Sequence, residues 1–275
     1  MESLGDIMAA KLEEIKKKRA NLPTLTTTSH LTGSSLIQKT YECEICKDEE
    51  WILIQEFEEV DGKTTKTKDY ARQCDCVFKK RVKRLMSSSK ITTEFQQKTF
   101  ANFVQKGRPV VVMQAFKKAY DYVMAFIEIR KTRRNSIALL GRPGCGKTHL
   151  LMAVANSLLE MGTEVVYFPW VEGFNEIKDN FDKMEERINR LKRCEVLYID
   201  DMFKGRGKPT EFQLEQLFGI INYRYLENLP IMISSERSVQ EILDIDEGTG
   251  SRIIEMCKDY RVTLNGGPEL NYRLL

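Results

Sequence analysis

One octapeptide constrains this chain more than anything else in it. Gly141-Arg142-Pro143-Gly144-Cys145-Gly146-Lys147-Thr148 follows a short apolar run, Ser136-Ile137-Ala138-Leu139-Leu140, and leads into His149-Leu150-Leu151-Met152-Ala153-Val154-Ala155. Strand, glycine-rich turn and helix in that order make the G-x-x-x-x-G-K-[ST] phosphate loop. Its glycines let consecutive backbone N–H groups wrap an anion, and the helix that follows adds the positive end of its dipole. Gly141, Pro143, Gly144, Cys145, Gly146 and His149 are therefore expected to shape the turn that holds ATP. Lys147 is expected to bridge the β- and γ-phosphates, and Thr148 to ligate Mg²⁺.

Such a magnesium ion needs a second oxygen source, ideally an acid at the end of a neighbouring buried strand. Val196-Leu197-Tyr198-Ile199-Asp200-Asp201 supplies it: an apolar run, then two carboxylates. Asp200 is expected to hold Mg²⁺ through its waters and Asp201 to polarise the attacking water. The shorter Asp, where Glu is usual, predicts modest turnover. Further strands are expected at 164–168, 231–235 and 260–264, the first after a helix closed by Met161-Gly162. Thr210 and Gln213 predict a capping box on the helix before 231–235. Phe174, Ile177, Phe181, Met184, Ile188 and Leu191 predict one helix packed along a 3-4 stripe. Alternating strands and helices imply an α/β fold with a parallel sheet covered on both faces. Ser234 and Ser235 end a strand expected beside the phosphate loop, where Ser235 is placed to sense the γ-phosphate.

Upstream, Cys43 and Cys46 are followed after a gap of 27 residues by Cys74 and Cys76. Between them Trp51–Phe57 reads as a strand, Asp61-Gly62 as a turn and Thr64–Thr67 as its return. A hairpin with a thiol pair at each end gathers four sulfurs, the set that Zn²⁺ takes in structural sites; free or redox-active thiols are the competing reading. Seven cysteines, an odd number, and no signal-peptide pattern point to a reducing compartment, the cytoplasm. The two histidines leave little room for His-based catalysis or multi-His metal sites.

The domain limits follow. Residues 1–20 read as an amphipathic helix, either a capping helix or a partner-binding arm, and 21–40 as a Ser/Thr-rich linker. Residues 41–85 form the zinc module with a basic helix, Lys79, Lys80, Arg81, Lys83 and Arg84, read as a solvated face or a phosphate-contacting one. An ATPase domain runs over 90–275. With 42% hydrophobic residues and a net charge of +3, the chain has material for a core, and charge alone does not argue for nucleic acid. Charged residues interrupt every apolar run before it could span a bilayer, so no membrane association is expected.

With those residues in view, the chain resembles the AAA+ ATPases of the bacterial helicase-loader group, DnaC and DnaI, including phage and prophage members. The likeness runs from about residue 41 to the end. It rests on Thr99-Phe100-Ala101-Asn102-Phe103, Gly144–Leu150, Leu197–Asp201, Ile221-Asn222-Tyr223-Arg224-Tyr225, Gly250-Ser251-Arg252-Ile253 and Asn271-Tyr272-Arg273. The resemblance implies a P-loop NTPase fold of AAA+ type, here without a C-terminal lid because only some eleven residues follow the last strand. It implies that Phe100 and Phe103 lie against adenine, that Arg252 reaches a neighbouring subunit's ATP, and that Arg273 senses the γ-phosphate. The implied partners are a DnaB-type replicative ring helicase, single-stranded DNA and, with ATP, further copies of the chain. An IstB-like transposase-helper ATPase acting on duplex DNA is the alternative; it shares the core but usually lacks the cysteines.

Overall fold

The computed structural model describes residues 41–60, 63–205 and 207–274. The expected N-terminal helix, the linker and the Asp61-Gly62 turn lie outside the described residues. Two compact units divide between Arg84 and Leu85.

The first is a hairpin of β1 (Trp51–Val60) and β2 (Lys63–Gln73), antiparallel from Trp51↔Gln73 to Val60↔Lys63 with a register shift at Glu56/Phe57. Both strands run further than the apolar pattern predicts, because ladder pairing continues through polar residues. Helix α1 (Asp75–Ser88) starts between the second pair of cysteines, with Asp75 in its first turn complementing the dipole.

In the second unit, five parallel strands take the order β4-β5-β6-β3-β7, with β3 Ile137–Gly141, β4 Val165–Pro169, β5 Val196–Met202, β6 Ile231–Ser235 and β7 Tyr260–Leu264. Successive strand residues point to opposite faces, and here both faces are covered. Ile137, Leu139, Val165, Tyr167, Val196, Tyr198 and Met232 enter one core, with α3 (Val110–Ile129) and α4 (Lys147–Glu160). Ala138, Leu140, Val166, Phe168, Leu197, Ile199, Ile231 and Ile233 enter the other. That second core is closed by α5 (Trp170–Asp179), α6 (Met184–Arg193), α7 (Glu211–Leu226), α8 (Val239–Ile245) and α9 (Glu247–Met256). Each large aliphatic side chain so buried contributes roughly 1.5–3 kcal/mol. Helix α2 (Thr93–Gln96) precedes α3. Together these elements make the AAA+ type of P-loop fold.

Both expected end signals are present. Thr210 and Gln213 exchange side-chain and backbone bonds in a capping box, and Gly162 follows α4 at φ +79°. The single helix expected through 174–191 is not. Asn180, at φ −129° and ψ 63°, leaves the helical region, a 3₁₀ turn occupies Phe181–Lys183, and α6 starts afresh. The ends of the stripe are buried, at Phe174, Ile177, Ile188 and Leu191, but Phe181 is 67% exposed. Periodicity continued across a break that no glycine or proline announced. Among the described residues no helix is long and apolar enough to cross a membrane.

Candidate nucleotide site and cysteine cluster

The carboxyl ends of β3, β5 and β6 open onto one cleft of about 1040 Å³. The phosphate loop joins β3 to α4, and its first α-turn is capped by Gly146 at φ +98° with no side-chain cap. Among the described residues no side chain caps this helix start, whose leading N–H groups suit an anion. Lys147 is buried, its Nζ donating to the carbonyls of Gly141 (2.7 Å) and Arg142 (2.8 Å). The Cys145 thiol also donates to the Arg142 carbonyl, so loop, lysine and thiol form one closed unit. Pro143, Gly144, Gly146, Lys147, Thr148 and His149 line the cleft.

Asp200, at the end of β5, accepts four hydroxyl bonds. Tyr198 (2.8 Å), Thr148 (3.2 Å) and Ser234 donate to Oδ1, and Tyr167 donates to Oδ2 (3.0 Å). The arrangement follows from strand parity: Tyr198 is two residues before Asp200, Tyr167 pairs with Tyr198 in register, and Ser234 follows Met232 on the same face. Burial and the neighbouring carboxylate hold both tyrosine hydroxyls far above their ordinary titration range, so they remain donors. With its proton given to Asp200 Oδ1 at 3.2 Å, Thr148 Oγ1 keeps its lone pairs for a cation, and Asp200 stands within reach of that cation's waters. The donor set therefore fits Mg²⁺. Tyr167 and Tyr198 were not singled out from the sequence, although the period of two places Tyr198 beside Asp200.

Asp201 lines the cleft at φ +52°, its N–H donating to Ser234 Oγ (2.7 Å). Its Oδ2 lies 2.6 Å from Lys204 Nζ, and Lys204 is also 3.8 Å from Glu236. Neither Lys204 nor Glu236 carried a sequence signal.

Two expectations need correction. Ser235 faces away from the cleft: its Oγ donates to the Met202 carbonyl (2.6 Å) and accepts from Arg237 N–H, so Ser234 is the serine that meets the acid. Phe100 is buried edge-on between Phe116 and Tyr120 and does not line the cleft. Phe103 does, with its ring against His149 and close under Gly146. Arg252 does not face its own chain's cleft; it donates to the Gly248 carbonyl and lies over the rings of Phe218 and Tyr225, both at 5.5 Å.

His149 holds the segment before α3 in place, its Nε2 3.0 Å from both the Thr99 carbonyl and Asn102 Oδ1. Burial depresses its pKa, so the ring is neutral near pH 7. Arg273 also lines the cleft. The tail that carries it is tied to the phosphate loop: Tyr272 N–H donates to the Gly144 carbonyl (2.9 Å), and Arg108 donates to the carbonyls of both Cys145 and Leu270.

In the smaller unit, the sulfurs of Cys43, Cys46, Cys74 and Cys76 all lie within 4.8 Å of one another. The Cys43–Cys74 and Cys46–Cys76 separations are 3.8 and 3.4 Å. A tetrahedron of thiolates at zinc bond lengths has edges of about 3.8 Å, so the four fit Zn²⁺. Backbone N–H groups of Cys46 and Ile45 pull the Cys43 pKa down to about 7, whereas burial pushes Cys74 and Cys76 up.

Comparison with known proteins decides the family. The model of the bacterial DnaA ATPase domain matches residues 114–256. The chain belongs to that family. The chain has relatives in Bacillus subtilis (strain 168). The phage-like element PBSX protein XkdC is 43% identical over 239 residues, covering 85% of this chain and 86% of that protein. YqaM is 46% identical over 218 residues, 77% of this chain and 70% of that one. Among solved structures, DnaI shares the fold at a TM-score of 0.54 and 23% identity, covering 68% of this chain and 99% of that one. The DnaC helicase loader does so at 0.52 and 20%, covering 63% and 98%.

Proposed function

We propose that this ATPase loads a DnaB-type replicative ring helicase onto single-stranded DNA, with ATP binding and slow hydrolysis controlling assembly and release. The observation that carries the reading is the convergence of Lys147, Thr148 and Asp200 on one cleft, in a fold shared with DnaI and the DnaC helicase loader, alongside a separate four-cysteine unit.

In this reading the N–H groups of the phosphate loop and of the first turn of α4 hold the triphosphate, and Lys147 turns from its carbonyl partners to the β- and γ-phosphates. Thr148 and Asp200 hold Mg²⁺, which supplies charge neutralisation at the phosphates. Asp201 orients and polarises the water that attacks the γ-phosphorus as the bond to the ADP oxygen breaks. Phe103 borders the base, Arg273 reads the γ-phosphate from the tail, and Arg252 acts on the ATP of a neighbouring subunit. ATP-linked self-association then completes each site. Zn²⁺ on Cys43, Cys46, Cys74 and Cys76 folds the small unit, which with the N-terminal residues grips the helicase. Basic residues at 79–84 and 130–134 attract the single strand.

Co-sedimentation of the full chain with a DnaB-type hexamer tests the reading. The chain is expected to travel with the ring, and Lys147→Ala to keep that association while losing its response to ATP. A chain that binds no such ring would leave the ATPase standing and remove the client.

A further inference from the structure

Lys204 stands where a group that activates water has least use for a cation. The chain folds back at the end of β5: Asp201 and Phe203 have φ of 52° and 63°, and Lys204 N–H donates to the Asp201 carbonyl (2.9 Å). This geometry returns the lysine side chain over the carboxylate it has just left. Nζ sits 2.6 Å from Asp201 Oδ2 and 3.8 Å from Glu236 Oε1, and the three side chains are 49%, 31% and 37% exposed. All three line the nucleotide cleft. The Asp201 backbone is pinned by Ser234, so the freedom in this triad belongs to the lysine.

A carboxylate activates water by accepting its hydrogen bond in the transition state, and an ammonium on the same oxygen occupies the lone pair that the water would use. Lys204 is a point charge on a flexible stem, with a second carboxylate close by. We propose that Lys204 restrains ATP hydrolysis by holding Asp201, and that Glu236 relieves the restraint by competing for the same ammonium. Lys204 and Glu236 are positioning residues that act through Asp201. The inference rests on Asp201 being the water-activating group.

The test is steady-state phosphate release by the full chain at saturating MgATP, with KM measured alongside. Lys204→Ala is expected to raise kcat about three- to tenfold with little change in KM, and Lys204→Arg to keep the low rate. Glu236→Gln is expected to lower kcat in the parent chain and to do nothing in the Lys204→Ala background. Asp201→Asn is expected to be slow and insensitive to Lys204→Ala. A fall in kcat for Lys204→Ala, or an equal loss from Glu236→Gln with and without the lysine, overturns the restraint. An Asp201→Asn chain that hydrolyses at the parent rate removes the reading of Asp201 itself, whatever Lys204 does.

Discussion

Thr148 Oγ1 donates to Asp200 Oδ1 across 3.2 Å, joining the first turn of the phosphate-loop helix to the end of β5. Three more hydroxyls, from Tyr167, Tyr198 and Ser234, converge on the same carboxylate. Asp200→Ala leaves all four donors without their acceptor, whereas Asp200→Asn keeps one carbonyl oxygen for rotatable hydroxyls. Both variants are expected to lose about 10²-fold or more in kcat, since neither supplies the carboxylate. They differ in stability: the alanine chain is expected to lose about 1–3 kcal/mol in denaturant unfolding, the asparagine chain less. Equal stability losses would contradict the hydroxyl cluster.

A side chain at Gly144 would meet the Asn271 carboxamide. At φ +75° a Cβ would stand 1.8 Å from Asn271 Oδ1. Gly144→Ala is expected to push the tail off the loop and weaken nucleotide binding at least tenfold, on the order of 1.4 kcal/mol. Asn271→Ala removes the obstruction but not the backbone strain of an alanine at positive φ, about 1 kcal/mol. The double variant is therefore expected to recover part of the affinity in a nucleotide titration, and no recovery would mean that the tail contact is irrelevant.

Much of this site was legible because its signals are local. The phosphate loop, the β5 acids and the Thr210–Gln213 cap each lie within a few consecutive residues. What escaped depends on facing. Whether Ser234 or Ser235 meets Asp200 is a one-residue parity, and a register irregularity between Ile199 and Met202 hides it from pattern reading. Lys204 reaches Asp201 only because the turn passes through positive φ at non-glycine residues, which no propensity predicts. The Asn271–Gly144 contact joins positions more than a hundred residues apart in sequence, so nothing local could announce it.

The four sulfurs make a prediction about metal. Burial raises the Cys74 and Cys76 thiols, and ionising them beside other thiolates without a cation is unfavourable. The purified full chain is expected to carry one Zn²⁺ by elemental analysis and to lose it in Cys46→Ser. Because β1 and β2 form a two-stranded sheet of their own, ATP hydrolysis is expected to persist in that variant. A metal-free chain with four titratable thiols and an unchanged circular dichroism spectrum would show that the cluster needs no ion.

Arg224 tests how the second core is tied together. It is fully buried in α7, yet among the described residues its hydrogen-bond partners are carbonyls and a thiol, not a carboxylate. Its guanidinium donates to the carbonyls of Leu191 and Lys192 at the end of α6, of Cys194 and Glu195 leading into β5, and of Pro230 ahead of β6. The charge thus sits against the negative end of α6 and satisfies acceptors that water does not reach. Arg224→Met keeps the length and apolar bulk but supplies no donor, so the carbonyls at three element ends lose a partner together. Unfolding is expected to cost about 3 kcal/mol less than in the parent chain. Arg224→Lys, whose single ammonium cannot span the same set, is expected to fall between the two. A methionine variant as stable as the parent in denaturant melts would mean that packing alone holds α6, β5 and β6 together, and that the arginine is replaceable filler.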